Sequence, residues 1–330
     1  MIKLAVDCMG GDYGPEKTVA GACLILAERT DLYCLFYGDQ ERIEQEIPHD
    51  ADCSRIEIIM SDEEINNEDH PLKAIRKKQN SSMVKALKAV ADGTADAFVS
   101  AGNSGAIFTG SLSIIGKLPE VKRPASVTIL PTTSKVSPHY FLIDSGANIS
   151  TKPEHLVQYG KLGSKLAEQM LGAENPRVGL LNIGEEDSKG NDFTKEAFQL
   201  LSDSKEFNFT GNVEPHTLMN GTHDIILTDG FTGNIMLKSV EGMAESILNE
   251  LLENLIINAD LNDDMSKTVE AFIHSSIRRY TNEDAGGGFI LGAKAPVVIT
   301  HGAASTTMFK NSIDLAITLK ESDAFSSLNE

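Results

Sequence analysis

Basic residues are few in this 330-residue chain. Lysine and arginine number 29 against 48 aspartates and glutamates, a formal net charge of −19. That balance argues against nucleic acid, whose recognition rests on clustered cations. It also weighs against broad attraction to anionic lipid. Cysteine is scarce too. Cys8, Cys23, Cys34 and Cys53 lie early in the chain and no pair has CxxC spacing. Reduced, mostly buried thiols in a cytoplasmic protein are expected. No apolar run reaches the ~18–20 residues of a membrane-spanning helix. Met1-Ile2-Lys3-Leu4 runs straight into a strand-like segment, without a secretory pattern. There is no HExxH among the eight histidines, so no metal is expected. No loop reads GxGxxG, which disfavours a dinucleotide.

What is present is an ordinary globular composition, 41% hydrophobic and 23% charged, enough for a sizeable core. The length fits roughly two domains of about 150 residues or one large α/β unit. Apolar runs at 2–7, 32–37, 56–60, 97–100, 127–130, 140–143, 178–183, 224–228 and 297–300 read as strands. Stretches with helical spacing fall at 15–29, 71–91 (interrupted near Asn80-Ser81-Ser82), 106–116, 153–171, 193–201, 235–257, 266–280 and 304–320. The alternation predicts an α/β fold, a largely parallel sheet covered by helices on both faces. No linker divides the chain, so residues 1–330 are expected to form one catalytic unit of two interleaved lobes.

Ligands of such sheets sit beyond the carboxyl ends of the strands. Six strand ends here carry clusters of small and polar residues: "DCMGGDYGP" (7–15), "SAGNSGA" (100–106), "DSGAN" (144–148), "NIGEEDSKGND" (182–192), "TDGFTGN" (228–234) and "THGAAS" (300–305). Six together are expected to line one rim and form a shared polar site. The loop at 98–111 is the sharpest. Gly105 and Gly110 have P-loop spacing, but Ser111 and Leu112 replace Lys and Ser/Thr. Gly102-Asn103-Ser104-Gly105-Ala106 misses only the last glycine of a nucleophile elbow. The third reading is an anion cradle of backbone N–H groups at a helix start. Lys189 and the asparagines 103, 148, 182, 191 and 234 favour an anion. Asp7, Asp12, Asp144 and Asp229 keep a metal-dependent dehydrogenase open.

Taken in order, "DCMGGD" (7–12), "SSM" (81–83), "SAGNSGA" (100–106), "KRPA" (122–125), "DSGAN" (144–148), "LLNIGEE" (180–186), "KGN" (189–191), "GNVE" (211–214) and "DGFTGN" (229–234) make the chain resemble the phosphate acyltransferase family called PlsX. The resemblance runs from Val6 to about Ser305. It implies an isocitrate/isopropylmalate dehydrogenase-like α/β fold, a homodimer, and transfer of an acyl group from acyl carrier protein to inorganic phosphate. The acyl phosphate would then supply a glycerol-3-phosphate acyltransferase in phospholipid synthesis. It implies catalytic roles for Lys189 and Asn234 and no cofactor. It also implies that residues 235–280 form a protruding helical hairpin for dimerisation and for resting on the membrane, with Leu255, Ile256, Ile257 and Leu261 at its tip. The chain departs from the family at Cys8 (usually Ala), Ser104 (commonly Thr) and "GGGFILG" (286–292). A relative using acyl-coenzyme A is the alternative.

The chemistry suits these residues. Phosphate is largely ionised near neutral pH and already a nucleophile, and a thiol of pKa about 8.5 leaves readily as thiolate. The demand is to hold a dianion in line with a carbonyl and to stabilise the tetrahedral oxyanion. Lys189 supplies a point charge and Asn234 an orienting amide. The Gly10-Gly11 and Gly102–Gly105 turns are expected to supply backbone donors, and Asp7 or Asp229 to position loops. An acidic carrier protein needs a local basic patch; the candidates are 73–88 and Arg278-Arg279.

Overall fold

Short apolar segments that alternate with amphipathic ones dictate a layered arrangement, and the computed structural model has one. It describes residues 1–258, 263–322 and 325. The first half runs β1 (Ile2–Asp7), α1 (Pro15–Glu28), β2 (Leu32–Gly38), α2 (Gln40–Glu46), β3 (Ile56–Met60), α3 (Pro71–Lys77), α4 (Ser82–Ala91), β4 (Ala97–Ser100), α5 (Ser104–Gly110), β5 (Ala125–Pro131) and β6 (His139–Ile143). The second runs α6 (Pro153–Met170), β7 (Arg177–Leu181), α7 (Asp192–Asp203), β8 (Asn208–Val213), β9 (Ile225–Leu227), α8 (Gly230–Asn258), α9 (Asp263–Tyr280), β10 (Gly288–Leu291), β11 (Val297–Ile299) and α10 (Thr306–Glu321). Prolines open α1, α3 and α6, where the missing N–H costs nothing. The break expected near Asn80 is the α3–α4 junction, where Ser81 caps α4 by accepting from the Val84 N–H. The helix expected over 106–116 ends earlier. It passes into a π turn at Ser111–Ile115, stopped by Gly116 at φ 91°.

One sheet of eleven strands, ordered β3-β2-β1-β4-β11-β10-β5-β6-β9-β7-β8, spans both halves. The strands β3, β2, β1, β4 and β11 are mutually parallel, as are β6, β9, β7 and β8. Between the blocks, β10 is antiparallel to both β11 and β5, and β5 to β6. The two parallel blocks therefore run in opposite senses. Alternate strand residues feed the two faces. Val6, Phe141 and Ile143 join α1, α6 and α10 in one core. On the other face Ala5 and Phe98 pack with α4, and Tyr140 and Leu142 pack with Met236 and Leu237 of α8.

Arg177 and Asp224 pin the entry to β7 and β9. The Asp224 carboxylate accepts from Arg177 N, Nε and Nη2 at 2.8, 2.9 and 2.8 Å, and from Ser137 Oγ at 2.9 Å. Burial pushes this carboxyl up, but the Arg177 and Ser137 hydrogen bonds outweigh it and hold it below its ordinary range. Asp224→Ala is expected to destabilise the fold by about 2–3 kcal/mol, less than the ~3–5 kcal/mol of a fully buried broken pair because Arg177 still reaches water. A carboxyl depressed in the fold contributes fully above its unfolded pKa of about 4 and loses that contribution as pH falls through the folded value. Urea midpoints of wild type and variant should converge only below about pH 4.

Candidate active site

At the first block, β1, β4 and β11 end side by side, with Ser100 in register with both Asp7 and Ile299. Ser100 Oγ donates to Asp7 Oδ2 at 2.7 Å and accepts the Gly102 N–H at 2.9 Å. Burial pushes the Asp7 carboxyl above its ordinary range, against hydrogen bonds from Ser82 and Ser100. Its Oδ1 has no hydrogen-bond partner among the described residues. A Cβ on Gly10 would lie 2.8 Å from Gly102 N, so the two turns touch only because this residue is glycine. Gly11 sits at φ 91°, a region open to glycine. Asn103 is buried. Its Oδ1 accepts the Ala106 N–H and its amide donates to the carbonyls of Asn66, Asn67 and Asp69. Ser104 is exposed, and Gly105 packs on Pro71 at the start of α3. Beside these turns is a cleft of about 300 Å³, walled by Asp12, Arg42, Glu64 and Asn66 among others.

At the second block, the loops after β6, β9 and β7 form a separate group. Asp144 ends β6 at φ 68°, a strained setting for a non-glycine residue. It is fully buried and accepts from Ala147 N, Asn148 N and Asn148 Nδ2 at 2.9, 3.2 and 2.9 Å. Burial raises its pKa against those bonds. Asn148 also donates to Pro124 O, and Arg123 Nε donates to Asn148 Oδ1. Asp229 caps α8 by accepting from Phe231 N, Thr232 N and Thr232 Oγ1. A Cβ on Gly233 would lie 2.2 Å from Asp144 O, and one on Gly146 would lie 3.2 Å from Asn234 Oδ1. After β7, Asn182 Nδ2 donates to Lys189 O and to Asn212 Oδ1, and Asn212 Nδ2 donates to Glu186 O.

The expectation of one shared rim is corrected. The two groups are carried by strands of opposite sense with β10 and β5 between them, and among the described residues no side-chain hydrogen bond joins them. Asp7, Gly10, Gly11, Gly102, Asn103, Ser104 and Gly105 belong to the first group; Asn148, Lys189, Asp229 and Asn234 belong to the second. The groups differ in what is free to act. In the first, the Gly102 N–H and the Asn103 amide are engaged within the fold, so those donors shape the loop. In the second, Asn148, Asn182, Asn191 and Asp229 are likewise engaged. Two heads remain. The Asn234 amide is exposed with no hydrogen bond among the described residues, and the Lys189 ammonium meets only Glu186 at 3.8 Å. Lys189 stands on the loop after β7 and Asn234 at the start of α8, which follows the adjacent parallel strand β9.

A family profile described as "Fatty acid synthesis protein" matches residues 2–327. The chain is 43% identical over 315 residues to the phosphate acyltransferase of Lactiplantibacillus plantarum, covering 95% of this chain and 89% of that one. It is 41% identical over 330 residues to the phosphate acyltransferase of Enterococcus faecalis, covering 100% and 98%. The chain belongs to the phosphate acyltransferase family. In fold it is similar to the EutD phosphotransacetylase of Staphylococcus aureus, with a TM-score of 0.61 at 17% identity over 97% of this chain and 94% of that one. A branched-chain phosphotransacylase from Enterococcus faecalis gives 0.59 at 16% identity over 97% and 99%. At such identities the likeness shows the α/β fold alone.

For this phosphate acyltransferase-family chain the dehydrogenase reading loses its basis. Asp7 and Asp12 lie in one group, Asp144 and Asp229 in the other, and no three acidic, histidine or cysteine side chains among the described residues could hold a metal ion together. Sequence reasoning singled out "KRPA" as a motif without giving Arg123 a task; Arg123 holds Asn148. It gave none to Asn212 either, which sets the Lys189 loop through Asn182 and Glu186. The recurrent Asn in "LLNIGEE" and "GNVE" was the available signal, since a buried amide at a strand end must find partners.

Proposed function

We propose that this chain moves a fatty acyl group from the thioester of acyl carrier protein to inorganic phosphate, releasing acyl phosphate and free carrier. Acyl transfer to phosphate is the activity its family relatives are named for. The observation that carries the proposal is that, of the candidates after β7 and β9, Lys189 and Asn234 have heads outside the hydrogen-bond network of the described residues, Lys189 meeting Glu186 at 3.8 Å and Asn234 exposed. A phosphate oxygen attacks the thioester carbon, the carbonyl electrons move onto oxygen, and collapse expels the thiolate, which takes a proton from water. Lys189 holds phosphate or the developing oxyanion as a point charge, and the Asn234 amide donates to the same charge. Asp7, Gly10, Gly11 and the Gly102–Gly105 loop are assigned to substrate positioning from the first block.

The exposed cations Lys73, Arg76, Lys77 and Lys88 on α3 and α4 offer an acidic carrier its docking ground. They start beside Pro71, which packs on Gly105. Two copies are proposed to pair through α8 and α9, where Met243, Ile247, Leu251 and Phe272 are exposed. Leu261 of the proposed membrane-resting tip lies outside the described residues. No helix of the described residues is long and apolar enough to cross a membrane. The reading is of a cytoplasmic enzyme that touches the membrane face where a glycerol-3-phosphate acyltransferase consumes its product.

The test is to mix the protein with palmitoyl-carrier protein or palmitoyl-coenzyme A, with and without phosphate. Free thiol and hydroxylamine-trappable acyl phosphate are measured. Both should appear together, only with phosphate, and faster from the carrier protein. Thiol release indifferent to phosphate would make this a thioesterase and return attention to Ser104. A preference for coenzyme A would replace the donor.

A further inference from the structure

In the second group, asparagines and a glycine in the strand-end loops and at the start of α8 are followed directly by exposed apolar residues. Asn148 precedes Ile149, Asn182 precedes Ile183, Gly230 precedes Phe231 and Asn234 precedes Ile235. The apolar four are 80%, 77%, 59% and 51% exposed. Single exposed apolar residues need no explanation, but a contiguous set rimmed by polar groups marks a binding surface. Here contacts join three of the set, and Ile183 follows the adjacent strand β7. The Gly230 N–H donates to Asn148 O at 3.0 Å, placing Ile149 and Phe231 on adjoining turns. Asn234, with Ile235 beside it, lies against Gly146 of the same β6 loop. The Ile183 N–H donates to Asn182 Oδ1 at 2.9 Å, and the same amide holds the carbonyl of Lys189. One side-chain amide thus fixes both Ile183 and the lysine loop.

We infer that Ile149, Ile183, Phe231 and Ile235 seat the aliphatic chain of the acyl donor, with its reacting end at Lys189 and Asn234. This rests on the function proposed above and adds where the chain lies. The set mixes apolar side chains with an ammonium that meets Glu186 at 3.8 Å and an amide with no hydrogen bond among the described residues. Covering it with the apolar surface of a second copy would bury the amide without a partner and leave the ammonium only Glu186, which is costly. An amphiphile with an anionic head and an aliphatic tail satisfies both kinds of group at once. Farther along α8, the exposed Met243 and Ile247 are left to the partner copy.

Two phosphonates separate head from tail. Methylphosphonate and octylphosphonate are titrated into the protein calorimetrically, with inorganic phosphate as reference. Since each buried methylene is worth up to about fourfold in affinity, octylphosphonate should bind wild type at least ~50-fold tighter than methylphosphonate. In Ile149→Ser/Ile183→Ser, loss of two apolar walls should cut that advantage about tenfold while methylphosphonate binding stays within about twofold. Equal affinity of the two phosphonates for wild type would overturn the seat, as would an undiminished advantage in the double variant. A fall in oligomeric state of the double variant on gel filtration would also overturn it, by giving these residues to a second copy. Failure of the head is read separately. If phosphate and methylphosphonate do not bind, or bind Lys189→Met equally well, the anion site proposed above falls. The chain seat then still stands if octylphosphonate binds and the double variant loses it.

Discussion

Lys189→Met is expected to lower phosphate-dependent kcat/KM by about 10²–10³-fold, the loss seen when one preorganised donor to a developing oxyanion is removed. The side chain is half exposed and its only ionic neighbour is the exposed Glu186. Removing its charge should therefore leave folding stability within about 0.5 kcal/mol of wild type. That pairing of a large kinetic loss with an unchanged unfolding midpoint is the diagnostic result. Lys189→Arg should recover only part of the rate, because a planar fork does not reproduce a compact rotating ammonium. Turnover of the methionine variant within a few-fold of wild type would remove Lys189 from the chemistry.

Gly233→Ala is expected to act through geometry. Its new methyl would lie 2.2 Å from the Asp144 carbonyl oxygen and 2.8 Å from Thr228 Cγ2. The first obstacle is backbone and cannot rotate away, so the start of α8 must shift. Overpacking of this kind costs about 1–3 kcal/mol, and a displacement of about 1 Å in a positioning group can cost 10²-fold in rate. Thermal unfolding and single-turnover acyl transfer would read the two effects. Since Asn234 follows immediately, the rate should fall although neither Lys189 nor Asn234 has changed. Unaltered stability and rate would mean that the β6 and β9 loops do not hold each other as tightly as this contact requires.

Much of the layered fold was legible, because it is written in local chemistry. Pro71 and Ser81 mark helix starts by what their backbone and side chain can do, and the alternation of Tyr140 to Ile143 assigns two faces. Strand sense is not local. The run before "SAGNSGA" and the run before "DSGAN" look alike in pattern, yet one runs parallel to β1 and the other belongs to the reversed block. The expectation of one rim failed there. β10 went unread because "GGGFILG" resembles a turn, and β8 because Gly211 interrupts "NFTGNV". Asn148 and Asn234 illustrate the limit within the site. Both are asparagines in Gly-rich strand ends, and only the fold tells which amide is tied down. The family motifs fall on these strand-end loops; which of their residues are tied down is visible only in the hydrogen bonds.

The insertion of β11 beside β4 has a consequence for synthesis. Val297 pairs with Phe98, so one edge of the first block waits for a segment made about two hundred residues later. At ~5–20 residues per second, a ribosome would leave that edge unpaired for roughly 10–40 s. α10 follows still later, and with it the packing of Gly21 on Thr306 and Lys310. The nascent chain therefore carries an open apolar β-edge through most of its elongation, a natural target for a chaperone and a poor place for a translational pause.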